Sequence, residues 1–255
     1  MKPTPEEEEL QKKRTELAEL ENNLAQHELD FATLQVQLNI FLRRYLSTVG
    51  LCYRQLDEIN AQIAEIDAGL RPHEKAAKIK AGEARKKANE SAKATQDVHE
   101  LEPLKEFIPT EGLKKLYWEV ARKIHPDLCT DNNERVLRQR LMVEANRAYE
   151  QGDEEQLKGI LEEWETRPEV IETADIATQL IRIIRKVANV KERNRQIALR
   201  MEELKRSDLY ALYMMAKDAE AIGKDLLEEM VNKANNDISN AKERLRKLKL
   251  QEISV

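Results

Sequence analysis

His125, Pro126 and Asp127 follow one another directly, placing a ring donor or acceptor, a fixed backbone and a carboxylate side by side. Pro126 locks its own φ and pushes the residue before it out of the helical region. Asp127 offers an acceptor for charge-assisted bonds, and His125 adds a donor or a packing surface. An enzyme is not expected, because no nucleophile with an adjacent base, metal cluster or Gly-rich phosphate loop can be assembled from the chain. No cofactor is implied. The four histidines are scattered, and the two cysteines, Cys52 and Cys129, have neither a disulfide framework nor a zinc spacing. Both read as reduced small hydrophobes. The competing reading of the triplet is a helix-capping turn, with Asp127 satisfying local backbone donors and His125 merely exposed.

The elements that must hold the triplet are readable on either side of it. Thr110 is a candidate N-cap, and Leu113, Tyr117, Val120 and Ile124, with Ala121 beside them, form one apolar stripe at helical spacing. Lys114, Lys115, Trp118, Arg122 and Lys123 fall on other faces. Pro126 predicts that this helix ends near His125. A polar loop from about Asp127 to Asn133 should lead into a second helix carrying Leu137, Leu141, Met142, Ala145, Ala148 and Tyr149, which Gly152 stops. Asp153 with Gln156 then opens a third amphipathic helix with Leu157, Ile160, Leu161 and Trp164. The expected product is an antiparallel helical hairpin, too small to be stable without its neighbours.

A basic helix LKKLYWEVARKI, then His-Pro-Asp, then a helix containing ANRAY at 145–149, resembles the J-domain of the DnaJ family of co-chaperones. The resemblance covers about 60 residues. It implies that His125, Pro126 and Asp127 dock on a DnaK-type chaperone ATPase and accelerate its ATP hydrolysis. Lys114, Lys115, Arg122 and Lys123 would steer the encounter, with Tyr117 among the partner-binding residues. The ATPase chemistry would belong to the partner. Several positions depart from the family pattern. Trp118 and Glu119 interrupt the basic face, Leu128 stands where a basic residue is common, and Met142 and Ala145 replace bulkier core residues. The segment VHELEPLKEF, where a first J-domain helix is expected, contains Pro103. The glycine-rich segment and the cysteine-rich zinc module of general DnaJ proteins are absent from the sequence.

The rest of the chain reads as long helices. Only 4% of residues are aromatic, 36% are charged, and the seven prolines leave 6–71 and 169–255 uninterrupted, which argues for an all-α fold. Leu10, Leu17, Leu24, Phe31, Leu38, Tyr45, Cys52, Ile59 and Ile66 recur every seven residues, half of a coiled-coil seam. The partner column changes offset between Phe41 and Val49, so local unwinding is expected beside Gly50. A second seam runs Ile176, Leu180, Ile183, Val187, Val190, Asn194, Ile197, Met201 and Leu204. A further helix should follow Ser207 and Asp208, giving an antiparallel C-terminal hairpin on which the N-terminal helix packs as a three-stranded coiled coil, with dimerisation as the competing solution. His27 and Asn194, polar in these seams, read as register-setting residues.

Four segments follow: a long helix over 1–71, a basic Ala/Lys-rich linker over 72–98, the J-domain-like segment over 99–166 and the hairpin over 167–255. Net charges over 1–70, 71–98, 99–166 and 167–255 are −6, +4, −6 and +3. The basic linker lacks interleaved aromatics, so a solvated tether is expected and nucleic acid is not. Without a run of about 18 apolar residues or a signal-peptide core, the expected location is cytoplasmic, with no membrane association. The expected partners are a DnaK-type chaperone and a client or scaffold held by the coiled coil, on a monomer or a coiled-coil dimer. The alternative is a coiled-coil scaffold whose J-like insert is structural.

Overall fold

The computed structural model describes residues 4–96, 108–167 and 175–253. The fold is all-α, with no strand among the described residues. None of the described helices is long and apolar enough to cross a membrane. The segment VHELEPLKEF and Pro103 lie outside the described residues. The chain divides into two compact units, one of Met1–Gln37 and Phe107–Ser207, the other of Leu38–Glu106 and Asp208–Val255.

The long N-terminal helix α1 runs Pro5–Tyr45, and α2 runs Leu51–Leu70. Between them Leu46–Gly50 is a π-helical turn, at the place where the seam changes offset. Ser47 and Thr48 both donate their hydroxyls to the Arg44 carbonyl, local bonds of the kind that compete with regular α-helix. At Gly50 a Cβ would stand 3.3 Å from both Leu46 Cδ2 and Thr95 Cγ2, a tight fit for any side chain.

In the first unit, α1 is joined by α4 (Glu111–Ile124), a short 3-10 turn (Pro126–Leu128), α5 (Asn132–Gln151), α6 (Glu154–Glu165) and α7 (Ile176–Lys205). The two seams meet here: Leu17 and Leu24 of α1 pack with Val187, Val190 and Ile197 of α7, flanked by Leu20, Phe31 and Ile183. Arg14 bonds Gln179 near both starts, and further along His27 and Glu28 meet Asn194 and Arg193, so the two helices run in the same direction. His27 Nδ1 and Asn194 Oδ1 are 2.8 Å apart, so the two polar seam residues pair with each other.

In the second unit, α2 packs on α9 (Leu226–Ile253) through Ile59, Ile63, Ile238 and Ala241. Phe41, Val49 and Leu227 form a further cluster with Ala216 of α8 (Asp208–Ala221), and Phe41 meets Tyr213 edge-on. The basic run expected to be a solvated linker is a packed element: Lys75–Ala94 form a helix, α3, lying antiparallel on α2. Buried Ala77 and Ala88 allow the close approach. Arg85 bonds both Glu58 and Glu65, while Asp57 takes Lys87 and the Ser91 hydroxyl. The acid excess of the first segment thus neutralises the base excess of the second.

The C-terminal expectation also needs correction. The helix after Asp208 is interrupted at Gly223, whose φ of 73° is left-handed and so suits a residue without Cβ. Moreover α7 belongs to the first unit and α8 with α9 to the second. Thus α1 packs with α7 and α2 with α9, and the helices α4–α6 share their unit with α7 and the first part of α1.

Candidate partner-docking site

Thr110 caps α4, its hydroxyl oxygen accepting from Leu113 N–H and its hydroxyl donating to Glu154 Oε1 at 2.6 Å. Leu113, Tyr117, Val120, Ala121 and Ile124 are the buried stripe of that helix. Helix α5 comes back alongside: Tyr117 donates to Asn146 Oδ1 at 2.7 Å, and the Tyr117 and Tyr149 rings lie 4.6 Å apart. Tyr149 and Thr33 of α1 share a hydroxyl–hydroxyl bond of 2.6 Å. Leu157 and Ile160 of α6 complete this core, and Asp153 caps α6 by accepting from Gln156 N–H.

The 125–127 triplet sits where α4 ends and the chain turns towards α5. Asp127 N–H donates to His125 Nδ1 at 3.1 Å. With Nδ1 an acceptor, the ring proton belongs on Nε2, which lies 2.9 Å from Glu28 Oε1 of α1. The same oxygen accepts from Arg193 Nε and Nη2 at 2.8 and 2.6 Å. Burial alone would raise the Glu28 carboxyl, but the His125 bond and the Arg193 guanidinium outweigh it and hold the group below its ordinary value. Glu21, seven residues earlier and therefore on the same face of α1, is instead pushed up by burial, against the pull of Lys186, Arg122 and Arg138. Next to the triplet, Leu128 enters the apolar cluster between α1 and α7.

Two of the sequence-predicted docking residues are therefore not on the surface. His125 is 2% exposed and Tyr117 1%. Tyr117 belongs to the α4–α5 core because it lies on the buried stripe, and burial pushes its phenol far up, leaving a neutral donor for Asn146. His125 is covered because α1 supplies a carboxylate at ring height, which no local pattern announces. Pro126 and Asp127 remain partly exposed. Among the basic residues, Lys115 and Arg122 are exposed, with the Arg122 guanidinium 5.4 Å from the Trp118 ring centroid. Lys114 pairs with Glu111, and Lys123 with Glu165 of α6.

Arg138 is a positioning residue that the sequence reading missed. Its Nη1 donates to the carbonyls of Lys123 and His125 at 3.0 and 3.3 Å, satisfying the end of α4. Glu134 holds it by an ion pair and the Trp164 ring stacks 4.4 Å from it. The Glu134–Arg138 spacing of one helical turn was the available signal, though a weak one. Among the described residues, no group of three or more His, Cys, Asp or Glu side chains could hold a metal ion. Comparison with protein-family models, curated proteins and solved structures found no match.

Proposed function

We propose that this chain is a co-chaperone that docks on a DnaK-type chaperone ATPase through its 125–127 loop and stimulates ATP hydrolysis, with the long helices as a tether or as a dock for a client or scaffold. What supports this reading most is the antiparallel α4–α5 pair that ends in a turn carrying Pro126 and Asp127, next to a helix with Lys115 and Arg122 in solvent. A partly exposed Asp127 can accept charge-assisted bonds from a partner, and the two cations can steer the encounter. The hydrolytic chemistry belongs to the partner.

The test is single-turnover ATP hydrolysis by a DnaK-type chaperone with the wild type and with Asp127→Asn, after circular dichroism has established that both fold. The wild type should accelerate hydrolysis, and Asp127→Asn should lose about tenfold or more of that effect, as expected when one partner of a charged pair is neutralised. If neither the wild type nor the Glu28→Gln chain described below accelerates hydrolysis, this reading is overturned. One observation favours a second: with His125 buried against Glu28, the loop also fits a structural insert in a coiled-coil scaffold, which stimulates no chaperone.

A further inference from the structure

The groups that cover the loop are charged and specific. Glu28 and Arg193 come from α1 and α7, which flank the loop, and both bond or support His125. Leu128 is 6% exposed, packed with Leu17, Leu24, Val187, Val190 and Ile197 from the same two helices. Glu21 and Glu28, seven residues apart on one face of α1, lie by the end of α4, where Arg122 and Arg138 act on Glu21 and His125 bonds Glu28. A partner drawn by the exposed Lys115 and Arg122 must have acidic character, and what α1 keeps from it is His125.

We infer that α1 is a built-in occupant of the docking face, and that Glu28 and Arg193 latch the 125–128 loop in a closed form that must open before a chaperone can reach His125. The inference rests on the proposed co-chaperone function for its consequence, but the latch itself can be measured without any chaperone. Opening separates His125 from Glu28 and Leu128 from its cluster while the α4–α5 core stays intact. If only a fraction of molecules is open, the apparent dissociation constant is the intrinsic one divided by that fraction. Weakening the latch therefore raises chaperone affinity without altering any docking residue. In the closed form, loss of the Glu28 charge weakens the bonds from His125 and Arg193 and shifts the balance towards opening.

Cys129 supplies a reporter. It is 1% exposed and its thiol donates to the Pro126 carbonyl at 3.2 Å. With Cys52→Ala it becomes the sole thiol, and its rate of reaction with a small maleimide reads loop opening. Glu28→Gln keeps the shape and an acceptor oxygen but loses the charge. It should label about tenfold faster or more, and the concentration giving half-maximal chaperone stimulation should fall by a similar factor. Deuterium uptake should rise over 125–129 while 117–121 and 141–149 stay protected. Glu28→Asp, which keeps the charge at a shorter reach, makes the same comparison should the Gln chain lose its helical dichroism.

Faster labelling with stronger stimulation supports the latch. Faster labelling with no stimulation by any chain supports the latch and removes the co-chaperone reading. Unchanged labelling together with an unchanged half-maximal concentration overturns the latch, even if the wild type stimulates. Uptake rising equally across α4 and α5 marks plain destabilisation and also overturns it.

Discussion

At the scale of single residues, the behaviour of the loop is set by one carboxylate. Glu28 is held below its ordinary value of 4.5 despite burial, because it accepts from His125 and Arg193. A group lowered on folding contributes stability that is fully present above the unfolded value and is lost as pH falls through the folded one. Urea unfolding from pH 7 down to pH 3 should therefore show a wild-type advantage over Glu28→Gln that is largest near neutrality and shrinks below about pH 4.5. A difference independent of pH would mean that shape rather than charge carries the contact. Arg138 shows the same logic on the opposite side of the loop. It is only 8% exposed, yet its guanidinium satisfies two carbonyls and a carboxylate and stacks on Trp164. Its fork-shaped donor set does what a Lys could not.

At the scale of elements, the outcome was decided by which charges found partners. The run from Lys75 to Ala94 has the composition of a solvated tether, but Arg85 and Lys87 meet Glu58, Glu65 and Asp57, and its alanines let it lie against α2. The break between α1 and α2 is where that pairing ends, with Thr95 of the segment after α3 pressed against Gly50. Gly50→Ala would gain up to about 1 kcal/mol of helix propensity. It would also drive a methyl group into Thr95, a stiff β-branched residue that is 2% exposed and bonded to the Ser91 carbonyl. Overpacking of this kind costs about 1–3 kcal/mol, so the variant should be less stable in chemical denaturation. A gain in stability would show that Leu46 and Thr95 can yield.

At the scale of the whole molecule, each of the two units has its own apolar clusters, and the seams of α1 and α2 are covered within the chain by α7 and α9. A helix whose stripe is already buried has no need of a second copy, so light scattering after size-exclusion chromatography should give a mass near 29.6 kDa. A mass of twice that value would show that a seam still recruits a partner. The helical class, the offset change beside Gly50, the α4–turn–α5 arrangement and the Asp153 cap were all legible in sequence, because each is written in local spacing or in a single capping residue. His27 and Asn194 stood out separately as polar seam residues, though no spacing rule says that they meet. Which helix covers which stripe, that Lys75–Ala94 form a packed helix, and that His125 faces Glu28 were decided only in three dimensions. Those contacts join residues from 20 to 183 positions apart, and sequence periodicity records which face is apolar without recording what will cover it.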